Sequence, residues 1–158
     1  MFRLFKPKKQ ILFSPVDGNI VKLEDVPDEV FSAKLAGDGM AIMPHSNTFV
    51  APISGVVSKI FSTNHAFSIR TKNGLEVMVH IGLDTVELNG EGFKALAKEG
   101  DKVSVGKPII SADLAFIESK GKPIVTPIVV NHKKDIVISS DKIRTIREGE
   151  ELMSIAFK

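Results

Sequence analysis

The sequence predicts an all-β domain, a sandwich or barrel with internal duplication and a few short helices. Three observations lead there. From Ile11 onward, short apolar runs such as GNIVKL, GMAIM, AFSIR, LEVMVHI, PIVTPIVV and DIVIS alternate with Gly, Pro, Asp and Asn. Turn signals roughly every eight to twelve residues suit sandwich or barrel strands better than alternating βα units. Second, residues 14–22 (SPVDGNIVK) recur 37 residues later as residues 51–59 (APISGVVSK). A weaker pair joins residues 103–106 (VSVG) to 146–149 (IREG), each followed by an apolar strand. These repeats are too short and too few for a solenoid, and read as two pseudo-equivalent halves of one sandwich. Third, helical periodicity is scarce.

Taken in order, residues 1–10 (MFRLFKPKKQ) interleave Phe2, Leu4 and Phe5 with Arg3, Lys6, Lys8 and Lys9. Pro7 limits any helix, so at most weak contact with an anionic membrane surface is expected from this flexible terminus. Residues 11–158 form a single domain, since a chain of 158 residues that is 43% apolar is long enough for one real core. Within it, Gly18 and Gly55 mark places where a side chain would obstruct the backbone. Helix is expected over residues 28–35 after Pro27, as a turn near residues 92–97, and over residues 113–120, capped by Asp113 and ended by Gly121.

Residues 63–87 (TNHAFSIRTKNGLEVMVHIGLDTVE) carry two of the four histidines on apolar segments around Lys72-Asn73-Gly74. Alternation puts His65, Phe67 and Ile69 on one face of the first segment, and Met78 and His80 together on the second. The pattern predicts a β-hairpin. A two-residue Asn73-Gly74 turn pairs Lys72 with Leu75 and sets His80 opposite Phe67, with His65 one diagonal step away, roughly 7–8 Å. A four-residue loop sets His65 opposite His80, and a three-residue loop puts the two on opposite faces.

Composition narrows the function. A formal charge of +2 is too small to argue for nucleic-acid binding. The absence of cysteine rules out disulfides, thiol nucleophiles and zinc fingers, and fits a reducing compartment. No run approaches eighteen apolar residues and the N-terminus lacks a signal peptide's apolar centre, so a cytoplasmic protein is expected, and the initial Met with its basic tail suggests a stand-alone one. Residues 100–107 have the wrong glycine spacing for a P-loop, and Gly37-Asp38-Gly39 lacks the third glycine of a dinucleotide site. No nucleophile elbow and no His-Glu-x-x-His helix occur. The halves have the P-x-x-G look of biotinyl and lipoyl carriers but no modifiable lysine at a hairpin tip between them.

What remains is the histidine pair. Imidazole keeps a nitrogen lone pair at neutral pH, and a second histidine beside it can hydrogen-bond the oxygens of an incoming phosphoryl group. The apolar Phe61, Phe67 and Met78 around the pair suggest a docking face. The pair is also half a zinc site, which a partner's ligand would have to complete.

Several motifs together resemble the glucose-type enzyme IIA of the bacterial phosphoenolpyruvate-dependent sugar phosphotransferase system: Gly37-Asp38-Gly39-Met40-Ala41-Ile42, Pro52-Ile53-Ser54-Gly55, Thr63-Asn64-His65-Ala66-Phe67, Val79-His80-Ile81-Gly82-Leu83-Asp84-Thr85-Val86 and Leu88-Asn89-Gly90-Glu91-Gly92-Phe93. The likeness runs from about Ile11 to Asn131. It implies a flattened antiparallel β-sandwich that accepts a phosphoryl group from phospho-HPr and passes it to an enzyme IIB domain, without a required cofactor. His80 matches the phosphorylated histidine, through Nε2, and His65 its phosphate-stabilising neighbour. Thr63 matches the residue that orients His65, and the Gly82 carbonyl the group that fixes the His80 tautomer. Val30, Phe31, Phe61, Phe67, Met78 and Val86 correspond to the partner-docking rim, and Asp28 and Asp84 to carboxylates that meet a basic residue of the donor. His65 and His80 are the candidate zinc ligands at a partner interface. His45 reads as a loop residue, and His132 inherits no role.

Two alternatives belong to other classes. Some relatives in this family regulate sugar permeases and glycerol kinase through the same face. Lysostaphin-type metallopeptidases share a duplicated sandwich but need a His-x-His pair, and here Gly82 stands second after His80.

Overall fold

Strands dominate the computed structural model, which describes residues 9–140 and 142–158. The basic segment expected to touch a membrane lies almost entirely outside the described residues. The strands run in chain order as β1 (Lys9–Phe13), β2 (Gly18–Lys22), β3 (Asp38–Pro44), β4 (Thr48–Val50), β5 (Gly55–Ile60), β6 (Ala66–Arg70) and β7 (Glu76–His80). There follow β8 (Phe93–Ala95), β9 (Lys102–Val103), β10 (Pro108–Ala112), β11 (Thr126–Asn131), β12 (Ile136–Ser140), β13 (Thr145–Ile146) and β14 (Glu151–Phe157). Their pairings are antiparallel.

The largest sheet has the order β13-β2-β3-β11-β7-β6-β5-β9, and its palindrome is the internal duplication made visible. Inward from either edge comes a two-residue strand, a repeat strand (β2 or β5), its hairpin partner (β3 or β6) and a central strand (β11 or β7). The correspondence extends to single hydrogen bonds. Phe13 N–H donates to Pro52 and Val50 N–H to Pro15, while Gly149 N–H donates to Ser14 and Gly106 N–H to Ala51. The last two bonds explain why VSVG and IREG match. Gly18 and Gly55 occupy equivalent places for the same steric reason. A Cβ on Gly18 would lie 2.2 Å from the Met43 carbonyl oxygen, and one on Gly55 2.3 Å from that of Arg70. Two three-stranded sheets, β1-β14-β12 and β4-β10-β8, complete the sandwich.

Alternation along the large sheet builds two cores. Ile42, Phe67, Ile69, Val79, Ile128 and Val130 point into the main core with Leu12, Phe49, Ile110, Ile117 and Leu152. Ala41, Val129 and the half-buried Met78 face the other way, under Leu23, Val26, Phe31, Leu83 and Val125. This second, smaller core is the floor beside the site.

The expected helices shrink to α1 (Glu29–Ser32) and α2 (Leu114–Ser119). Asp28 caps α1 by accepting from Val30 N–H, and Asp113 caps α2 by accepting from Phe116 N–H. The turn expected near residues 92–97 is instead β8, because left-handed Gly90 and Gly92 end any helix while Phe93–Ala95 pairs with β10. Two 3-10 turns, Leu23–Asp25 and Thr85–Leu88, are too short to leave a periodic pattern in the sequence. No helix among the described residues is long and apolar enough to cross a membrane.

Candidate active site

The β6–β7 hairpin closes with a three-residue loop, not the two-residue turn. Thr71 N–H donates to the Leu75 carbonyl, the Thr71 hydroxyl accepts from Leu75 N–H, and Lys72, Asn73 and Gly74 make the bend. Ala66 therefore pairs with His80, Phe67 with Val79 and Ser68 with Met78. In that register Phe67 belongs to the main core and is fully buried, so its place in the docking rim is corrected: it has no surface to offer a partner.

Register alone would also separate the histidines, since His65 lies level with Ile81, a core residue. They meet because His65 precedes the regular strand and follows Asn64, which has a left-handed φ of 56°. The His65 and His80 rings stand edge to face with centroids 5.0 Å apart. Phe61 lies 5.3 Å from His65, and Phe31 lies 5.0 Å from His80.

The two imidazoles are held differently. His80 Nδ1 lies 2.7 Å from the Gly82 carbonyl, which can only accept, so Nδ1 carries the proton and the neutral ring keeps its lone pair on Nε2. His65 Nδ1 lies 2.5 Å from the Thr63 hydroxyl, and His65 is almost fully buried, whereas His80 is half-buried. Burial, with a smaller contribution from the His80 charge, pushes His65 down to about 4. Burial also lowers His80, opposed by the Gly82 hydrogen bond and by Asp28 and Asp84. Both rings are thus neutral at pH 7, as an uncharged nucleophile and its neighbour need to be.

This has a consequence for stability. A histidine with a folded pKa below its unfolded 6.5 stabilises the fold fully above pH 6.5, and that contribution is lost as pH falls toward 4. His65 should account for on the order of 2–3 kcal/mol of such loss, by the conversion of pKa shift to free energy. Denaturant titrations of wild type and His65→Gln at pH 7.5, 5.5 and 4.5 should show the gap in stability moving in the variant's favour as pH falls. A constant gap would show that His65 is not held neutral by burial.

The rim of the site is smaller than the sequence implied. Val30 is 49% and Val86 51% exposed, while Phe31 is only 5% exposed and supports His80 from below. Met78 and Phe61 are half-buried. Leu35, whose N–H donates to the Val30 carbonyl, is exposed and extends the apolar surface; its place at the end of a helical run hid it. Lys59 adds a charge that the sequence pattern does not point to: its ammonium lies 4.4 Å from the centre of the Phe61 ring. The remaining histidines are engaged elsewhere. His45 is exposed, with Nε2 3.2 Å from the Asn19 amide. His132 accepts from Lys134 N–H, donates to the Asn73 carbonyl and meets Phe157 edge to face.

Residues 10–136 match the family described as phosphoenolpyruvate-dependent sugar phosphotransferase system, EIIA 1. The chain belongs to that family. The glucose-specific EIIA component of Haemophilus influenzae is 48% identical over 142 residues, 90% of this chain and 86% of the relative. An N-acetylglucosamine-specific EIICBA component of Klebsiella pneumoniae is 46% identical over 136 residues, 84% of this chain but 21% of that much longer one. Among solved structures, glucose permease IIA from Mycoplasma capricolum superposes with a TM-score of 0.89 at 37% identity, covering 96% of this chain and 99% of that one. This EIIA protein therefore has the β-sandwich fold expected, and it is a phosphotransferase component, a phosphocarrier in sugar uptake.

Proposed function

We propose that His80 is the residue of this EIIA protein that carries the phosphoryl group, received from phospho-HPr and passed to an enzyme IIB domain in the cytoplasm. The observation that carries this is the Nδ1–H bond to Gly82, which leaves the Nε2 lone pair free at a half-buried ring beside an apolar rim. In the transfer, Nε2 attacks phosphorus as the bond to the donor's nitrogen breaks. Onward transfer reverses the sequence toward the IIB acceptor. No proton need leave His80 in either step.

His65 binds the phosphoryl oxygens. If the Thr63 hydroxyl donates to Nδ1, the His65 proton sits on Nε2 and can be given to an oxygen that gains charge in the transition state. Asp28 and Asp84, both close enough to act on the His80 charge, would meet a basic residue of the donor. Val30, Phe31, Phe61, Met78 and Val86 supply the docking surface or its support. The EIICBA name of the Klebsiella relative supports an IIB domain as acceptor, and the glucose-specific relatives support glucose as the sugar served. Incubation with phosphoenolpyruvate, enzyme I and HPr should add one acid-labile phosphoryl group, read by intact mass. An unmodified mass would overturn the proposal.

Zinc fits this site only in part. The two imidazoles supply nitrogen ligands, but among the described residues no group of three His, Cys, Asp or Glu side chains gathers around an ion position. His65 and His80 would hold zinc only when a partner adds a carboxylate. Labelling by purified phospho-HPr should proceed unchanged in excess chelator; arrest would show a metal requirement.

A further inference from the structure

The carbonyl that orients His80 sits in a turn held from both sides, by Thr85 within the histidine motif and by Pro123 beyond it. Gly82 adopts φ +76° and Asp84 φ +56°, both left-handed, so the chain reverses twice within three residues. Such a turn does not hold itself. Ile81 N–H donates to the His65 carbonyl, and the Ile81 carbonyl accepts from the Thr85 hydroxyl at 2.7 Å. Thr85 is fully buried, and its methyl group lies where a Cβ on Gly82 would come within 2.6 Å. On the other side, Leu83 N–H donates to the Pro123 carbonyl at 3.0 Å, and Lys122 pairs with Glu87 in the 3-10 turn that follows. Residues 122–123, which follow α2, thus strap the His80 turn at two points.

We propose that Thr85, acting with this strap, is a positioning residue that fixes the tautomer and direction of His80. The bonds form a series. Thr85 fixes the Ile81–Gly82 peptide through its carbonyl, the Pro123 carbonyl fixes the next peptide through the Leu83 N–H, and the Gly82 carbonyl on that second peptide is left one direction in which to point, toward His80 Nδ1. A free imidazole populates both neutral tautomers, and only the Nδ1–H form presents its lone pair on Nε2. Thr85 never touches the phosphoryl group. It acts through the peptide that selects the tautomer. Its methyl fills the space beside Gly82 while its hydroxyl does the holding, so the two parts can be separated by substitution.

The proposal rests on His80 being the phosphoryl carrier for its rate consequence, but its structural consequence can be read without any transfer. In full-length protein, long-range proton–nitrogen NMR correlations of the His80 ring should show a single Nδ1–H tautomer. Thr85→Val keeps the shape and removes the hydroxyl. It should give mixed tautomers and phosphorylation by phospho-HPr slowed about tenfold, chiefly in kcat, as expected when one buried hydrogen bond is lost. Thr85→Ser should restore both. A folded Thr85→Val protein with His80 still wholly Nδ1–H would overturn the proposal, as would failure of Thr85→Ser to restore the tautomer. Should Thr85→Val not fold, Lys122→Met loosens the strap from the surface and should move the His80 ring nitrogen resonances toward the mixed-tautomer values. Unmoved resonances there would be an equal refutation. A wild-type protein that shows the single tautomer yet takes no phosphoryl group would sink the carrier role of His80 and leave the positioning role standing.

Discussion

His80→Gln should abolish phosphorylation by phospho-HPr, whereas His65→Gln should still be phosphorylated but fail to pass the group on. The chemistry of the two rings differs although both are imidazoles. His80 is half-buried with Nδ1 committed to Gly82, so its remaining nitrogen keeps a lone pair that is not shut off from solvent. His65 is nearly inaccessible, bound to Thr63, and held neutral by its surroundings. Glutamine at position 80 keeps polarity and approximate size but has no nitrogen lone pair able to attack phosphorus. Glutamine at position 65 replaces the imidazole that Thr63 holds in place with an amide that is different in reach and not so held. Under the proposed role this misplaces a donor to the phosphoryl oxygens, and outright deletion of such a donor costs other enzymes about 10²–10³ in rate. During acceptance a basic residue of the donor can share the phosphoryl charge, so the defect is expected to show in onward transfer. Intact-mass kinetics for acceptance and a coupled sugar-phosphorylation assay for donation separate the steps. Phosphoryl label retained by His80→Gln would reassign the carrier.

The fold was legible in the sequence where a steric constraint left a mark on residue identity. Gly18 and Gly55 are glycines because a facing carbonyl leaves no room for a Cβ, and the equivalent edges recur as VSVG and IREG. The palindromic sheet follows from that duplication. The hairpin register was not legible, since Lys72-Asn73-Gly74 suits loops of several lengths and the deciding contact is a side chain, the Thr71 hydroxyl accepting from Leu75 N–H. One residue of slip moved Phe67 from rim to core. The same slip should have parted the histidines, and the left-handed Asn64 that reunites them is a backbone feature that a period-two reading does not contain. The two histidines were legible as a pair, but what holds them was not: the contact of Phe31 with His80, the bond from the Thr85 hydroxyl to the Ile81 carbonyl and the one from Leu83 N–H to the Pro123 carbonyl depend on packing that no local pattern reveals.

Val86→Glu should slow transfer from HPr steeply at low HPr concentration while leaving reaction with a small phosphoryl donor close to wild type. An interface that must fit a donor and then an acceptor is expected to be modest in affinity and largely apolar at its centre, with few anchors. Phe61 is a poor probe of that face because its ring lies against His65, so changing it would disturb the chemistry as well as the contact. Val86 and Val30 are about half exposed and carry neither a ring nor a polar group, which separates docking from catalysis. A carboxylate at position 86 would lose its hydration as a partner closes over it and find no assured counter-charge. Such a buried, imperfectly paired charge costs on the order of 2–5 kcal/mol, about thirtyfold to several-thousandfold in apparent affinity. The defect should therefore appear in KM for HPr and shrink as HPr is raised. Val30→Glu should behave alike, because Val30 lies two residues from Asp28 and Val86 two from Asp84, the carboxylates that act on the His80 charge. Unaltered HPr kinetics in both variants across a concentration series would show that partners dock elsewhere and reach His80 from another direction.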